Sequence, residues 1–180
     1  MPNWCENALY IDAPEEDIAA LKAAIAMQDD EEQGLLNHLR PQPEYPDDDS
    51  GPLPAWYNWR VDNWGTKWEV QAEITGESET CLYLYFNSAW SPPVEAIRHW
   101  VDQDDRRIAE LRYIEWGMGF CGIVSNDEDT TYTIPSTVED VQESIPADLD
   151  EQFGISEMVE QWENEELAEE QWEEAEKAEA

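Results

Sequence analysis

Histidine, cysteine and positive charge are all scarce in this chain, and each scarcity closes off a class of function. The two histidines, His38 and His99, have no Ser or Cys at a spacing that would mark a nucleophile and its base, so no catalytic histidine is expected and the chain is not expected to be an enzyme. The three cysteines, Cys5, Cys81 and Cys121, are odd in number and show no CxxC spacing, which argues against a disulfide framework and against a zinc site. Buried free thiols are the expectation for all three. No cofactor is implied.

Lysine and arginine total 9 against 44 Asp and Glu, a formal net charge of −35 with a pI near 4.1. Such a surface repels nucleic acid and anionic membrane, and attracts basic surfaces over about a Debye length. The expected partner is therefore a basic protein, one that itself binds nucleic acid, with no direct nucleic-acid or membrane contact. No run approaches the roughly 20 apolar residues of a membrane span. The opening Met1-Pro2-Asn3-Trp4-Cys5-Glu6 lacks the basic and apolar regions of a signal peptide, so the expected location is the cytoplasm, that of the host cell if the gene is phage-borne.

What is present is enough for one core. The 180 residues suit one domain with an appendage, and although only 41% are apolar, 10 tryptophans bring large buriable surfaces. Trp4 to Ile11 alternates as a strand and ends at Asp12-Ala13-Pro14. Ile18, Leu21, Ala24 and Ile25 then recur at helical spacing, with Glu15, Glu16 and Asp17 in the first turn opposing the helix dipole. From Gln28 to Trp64 no period is sustained. Prolines at 41, 43, 46, 52 and 54 make this a long connection with a short apolar turn at Leu35-Leu36.

Thr66 to Thr75 alternates through Trp68, Val70, Ala72 and Ile74, and Cys81 to Phe86 is a dense apolar strand, so the two predict a hairpin. Ser91-Pro92-Pro93 predicts an N-cap at Ser91, followed by a helix carrying Val94, Ile97 and Val101. Ile108 to Trp116, a turn at Gly117 to Gly119, and Phe120 to Val124 continue the sheet. Thr131 to Ile134 adds an edge strand or belongs to the connection that follows. The order β-α-β-β-α-β predicts an α+β, ferredoxin-like split β-α-β sandwich: an antiparallel sheet, two helices on one face, and an acidic C-terminal helix. Residues 1–135 form the domain, with a long 28–64 insertion, and 136–180 a Glu-rich extension. There Met158, Val159, Trp162, Leu167 and Trp172 do not make a clean stripe, which predicts a helix docked weakly at best.

Three segments imitate binding motifs. Asp47-Asp48-Asp49-Ser50-Gly51 puts its glycine at the fifth position with no Glu at the twelfth, and so fails the calcium-loop pattern, as does Asn126-Asp127-Glu128-Asp129. Gly117-Met118-Gly119-Phe120-Cys121-Gly122 lacks the lysine of a phosphate loop and joins two strands, so a tight turn with close strand packing is expected. No metal site is assigned. The cluster Trp56, Tyr57, Trp59, Trp64 and Trp68, with Arg60 and Lys67, reads either as a ligand or interaction site or as a cover for the second face of the sheet. The cover is favoured, because that face needs one.

Four blocks carry a family resemblance: Met-Pro-Asn-Trp-Cys-Glu-Asn at 1–7, Trp64-Gly65-Thr66-Lys67-Trp68, Ala89-Trp90-Ser91-Pro92-Pro93, and Glu115-Trp116-Gly117-Met118-Gly119-Phe120-Cys121-Gly122. Together they resemble the YubB-type ferredoxin-like family of plasmids, phages and integrated elements, from residue 1 to about 125. The resemblance implies the fold and a mobile-element origin; it implies neither an iron–sulfur cluster nor catalytic residues. It also suggests that the shared tryptophans with Asn7, Lys67 and Ser91 line one site.

The candidate interaction residues are Asp102, Asp104, Asp105, Asp127, Glu128 and Asp129, together with Trp64, Lys67, Trp68 and Trp90. The expected function is that of an acidic interaction protein, a DNA mimic of the anti-defence or anti-CRISPR kind that inhibits a host nuclease or DNA-binding protein. Two alternatives stand beside it. One is adaptation to high salt, since the chain has only Lys22, Lys67 and Lys177 as lysines; the other is a small-ligand or enzymatic site around the tryptophans and Ser91.

Overall fold

Alternation along the first strand turns Cys5, Asn7, Leu9 and Ile11 to one face, and all four are buried in the computed structural model, which describes residues 3–29, 33–44 and 53–179. This strand, β1 (Trp4–Asp12), lies inside the sheet, antiparallel to β3 (Cys81–Ala89) on one side and to β4 (Ile108–Glu115) on the other. β2 (Glu73–Glu77) pairs with β3, and β5 (Phe120–Ser125) and β6 (Asp129–Thr133) follow β4. The order is β2-β3-β1-β4-β5-β6, every neighbour antiparallel. The Asp47–Gly51 run, Met1 and Pro2 lie outside the described residues.

The α+β class and the antiparallel sheet agree with the sequence reading; the helices depart from it. Instead of two helices and a C-terminal one, the described residues form seven: α1 (Glu15–Ala26), α2 (Leu35–Leu39), α3 (Ala55–Trp64), α4 (Val94–Val101), α5 (Val138–Ser144), α6 (Ala147–Phe153) and α7 (Ile155–Glu179). The main core joins one face of the sheet to α1 through α4. Leu82, Leu84 and Phe86 share it with Leu21, Ile25 and Ile97, and the partly buried Val101 packs against it, as alternation predicts.

Four expectations are corrected on this side. The 28–64 connection holds α2 and α3, because Pro54 stands at the N-cap of α3, where a missing N–H costs little, and starts the helix instead of breaking it. The aromatic cluster does not cover the second face: Trp64, fully buried, joins the same core as α1 and α4, and its Nε1 donates to the Arg40 carbonyl at 2.8 Å. Of the predicted strand over 66–75, only residues from Glu73 onward pair. Upstream, the Val70 amide donates to Glu69, and Gln28 exchanges hydrogen bonds with the Ala72 backbone, so side chains take the place of a ladder. Ser91 is not a cap, since α4 begins after Pro93 and the Ser91 hydroxyl donates to the Gly65 carbonyl.

The other face is covered by the C-terminal segment, which docks far more firmly than its broken stripe suggests. Ile114, Cys121 and Ile123 of β4 and β5 bury against Val141, Ile145, Leu149, Ile155 and Val159. Thr137 caps α5 by accepting from the Asp140 amide, and Gly154, at φ 64°, turns the chain from α6 into α7. Trp162 makes an edge contact with Trp116, ring centroids 5.8 Å apart. Farther along α7, Leu167 and Trp172 are exposed. This cover lies over the β4–β6 half of the sheet and leaves Tyr83 exposed and Tyr10 and Tyr85 half-buried over the other.

Candidate functional site

The acidic candidates gather where α4 ends. The last turn of α4 and the β5–β6 turn enclose a cleft of about 250 Å³ whose apolar lining is Ile97, Val101, Ala109 and Val124, and whose rim carries Asp102, Asp127, Glu128 and Asp129. The turn is held in place by its own hydrogen bonds. Ser125 Oγ accepts from the amides of Asp127 and Glu128, while the Asn126 side chain accepts from Ala109 N and donates to Arg107 O, both at 3.0 Å. The rim carboxylates are therefore presented on ordered backbone.

Their charges are not equally available. Asp129 pairs with Arg98, and Asp104, on the neighbouring α4–β4 turn, accepts from both the amide and the guanidinium of Arg106. The Arg106 hydrogen bonds pull the Asp104 carboxyl down to about 2. Asp102, Asp105, Asp127 and Glu128 make no ion pair among the described residues. An apolar floor below free carboxylates suits the aliphatic stem and charged head of a lysine or arginine.

The tryptophan candidates sit at the other end of α4, some 12 Å away at 1.5 Å per residue. Trp64 is fully buried, Lys67 lies over the rings of Trp68 (4.6 Å) and Tyr57 (5.1 Å), and Trp68 leans on the exposed Trp4. Trp90 is exposed and takes a positive φ of 73°, a strained backbone for a bulky residue.

At this end residues of the first three resemblance blocks, joined by Ser88, build a buried polar tie. Asn7 Nδ2 donates to Cys5 O (2.7 Å), Ser88 Oγ (2.9 Å) and Phe86 O (3.3 Å). Ser88 in turn donates to Ser91 O, and Ser91 to Gly65 O. Thr66 Oγ1 donates to Ala89 O and accepts from Ala89 N. Glu115, also buried, caps the Gly117 and Met118 amides of the next turn. Gly65 is required here, since it has φ 87° and a Cβ would come within 2.9 Å of the Pro92 carbonyl. Asn7 and Ser91 are thus linked through Ser88, but their side chains are spent on Ser88 and on the backbone. Sequence reasoning did not single out Ser88, Thr66 or Glu115 individually; Thr66 and Glu115 lie inside the quoted blocks.

The titratable groups elsewhere serve the fold. Burial pushes the Cys5 thiol up to about 12 and that of Cys121 to about 11, whereas the partly exposed Cys81 is lowered by the Tyr10 hydroxyl, so only two of the three thiols are buried. Burial also raises Glu69, whose carboxylate accepts from the Leu36 and Asn37 amides at the start of α2, and lowers His38. Among the described residues no three His, Cys, Asp or Glu are grouped to hold a metal ion, and no helix is long and apolar enough to cross a membrane. Compared with protein-family models, curated proteins and solved structures, the chain matches none.

Proposed function

We propose that the chain is an acidic interaction protein of a phage or other mobile element, a nucleic-acid mimic that inhibits a host defence nuclease or DNA-binding protein by occupying its basic groove. The observation that carries this reading is the arrangement at the end of α4: free carboxylates at Asp102, Asp127 and Glu128 beside a cleft, with Asp105 on the adjoining α4–β4 turn, and the β5–β6 turn fixed by side-chain hydrogen bonds. Carboxylates held in place lose little freedom on binding, so more of their attraction for a Lys/Arg groove is kept. With this goes a ferredoxin-like core. The order β2-β3-β1-β4, with α1 and α4 as its crossovers, supports a split β-α-β unit extended by β5 and β6, and the sequence resemblance to the YubB-type family supports the mobile-element origin.

The test is capture of partners by the tagged full chain from a host lysate, followed by competition. The proposal expects a basic, nucleic-acid-binding protein that DNA or RNA displaces from the chain. A high-salt surface is the second reading, favoured by the presence of only three lysines. It expects Asn and Gln replacements at the four free carboxylates to leave partner binding intact and to lower stability at molar salt.

A further inference from the structure

The open half of the second sheet face has a composition of its own. Tyr10 and Tyr83 stand opposite each other across the β1·β3 ladder with ring centroids 4.9 Å apart, and Tyr85 follows on the same face. Asp12 shares this face from β1, and Glu73 from β2, where it stands opposite Tyr85. Among the described residues of β1 to β4, the one base on this face is Arg112, and it is already held by Glu110 and Asp148, each at 2.8 Å. Between the tyrosines and Arg112 runs a groove of about 340 Å³. The C-terminal helices stop short of it, with Gln152 of α6 at its border.

We propose that this tyrosine face docks an arginine-rich segment of the partner. The inference deepens the acidic-interaction reading and rests on it. Charge selects the occupant: a net of −35 opposes a second copy of the chain and opposes nucleic acid, leaving a cationic segment. The rings select arginine over lysine, because a planar guanidinium stacks on an aromatic face while its N–H groups reach a carboxylate. The fold already uses that arrangement once, where Arg107 lies 4.3 Å over the Trp100 ring and forks onto both oxygens of Asp17.

The test is fluorescence anisotropy of labelled nona-arginine and nona-lysine titrated with the full chain at low salt and at about 150 mM salt. The expected result is about fivefold or greater preference for nona-arginine, the effect of one or two exposed guanidinium–ring contacts. Tyr10→Leu/Tyr83→Leu should bring the two peptides to within about twofold of each other by removing those contacts. Tyr83→Leu alone, at a half-exposed position and with folding checked by circular dichroism, keeps the test available if the double variant does not fold. Asp102→Asn/Asp127→Asn/Glu128→Gln should weaken both peptides alike and preserve their ratio. Equal affinities for the wild type, or a preference that survives in the tyrosine variants, would overturn the sheet-face site while leaving the acidic reading standing. Failure of both peptides to bind at low salt would overturn both.

Discussion

Replacing Asn7 by leucine removes the centre of the buried tie while keeping the number and branching of side-chain atoms, so lost hydrogen bonds set the least cost and the bulkier methyls can only add to it. Asn7 is fully buried, and its amide donates to two backbone carbonyls and to Ser88 Oγ. The Ser88 hydroxyl keeps its own bond to Ser91 O, so Ser88 loses only an accepted bond, and the larger penalty falls on the carbonyls of Cys5 and Phe86. At about 1–3 kcal/mol for each of the two carbonyls left unsatisfied, Asn7→Leu should destabilise by about 2–6 kcal/mol. For a chain of 180 residues this lowers the thermal midpoint by about 4–24 °C. Urea unfolding followed by tryptophan fluorescence measures it directly, with an unchanged slope showing that the denatured state is unaltered. Ser88→Ala in both backgrounds should give a coupling energy above about 0.5 kcal/mol. A loss below about 0.5 kcal/mol for Asn7→Leu would refute the reasoning, because it would mean that the carbonyls are satisfied without the amide.

Three further outcomes follow from the same structure. Iodoacetamide near pH 8 should modify Cys81 in the native protein and all three cysteines only after unfolding, as read by mass spectrometry, because burial holds Cys5 and Cys121 protonated. Asp104 has a folded value of about 2 against an ordinary 3.8, so its contribution to stability is present above pH 3.8 and is lost as pH falls through about 2. Arg106→Gln should return the Asp104 titration, followed by NMR, toward 3.8. Gly122→Ala should destabilise by about 1–3 kcal/mol in a urea titration, since the new Cβ would lie 2.3 Å from the Tyr113 hydroxyl and 2.6 Å from the Thr130 carbonyl.

The strands were legible where one face is apolar and the other polar. The alternation of Leu82, Leu84 and Phe86 specified both the strand and its helical partners. Where side chains replace the ladder, the pattern misled: Val70 and Ala72 alternate inward without pairing, because Glu69 and Gln28 serve the backbone. The C-terminal segment was under-read because it docks through short helices. Val141 and Ile145 lie in or beside α5 and Leu149 in α6, each helix too brief to show a stripe, although Thr137, Pro146 and Gly154 punctuate them as caps and stops. The acidic residues were visible as a run, but their division into paired and free carboxylates was not. It depends on Arg98 reaching Asp129, 31 positions away, and on Arg106 folding back onto Asp104. The open tyrosine face was hidden for a similar reason, since Tyr10 and Tyr83 meet only through the register of β1 and β3.

The central claim is that free carboxylates at the end of α4 occupy a groove made for phosphates. The most direct measurement is an equilibrium competition in which the captured basic partner, preloaded with labelled DNA or RNA, is titrated with the wild-type chain and with Asp102→Asn/Asp105→Asn/Asp127→Asn/Glu128→Gln at rising salt. The account predicts that the wild type displaces the nucleic acid, that displacement weakens steadily as salt rises, and that the neutralised variant, folded with an unchanged or higher thermal midpoint, loses most of it. Undiminished displacement by the neutralised variant at low ionic strength would contradict the claim.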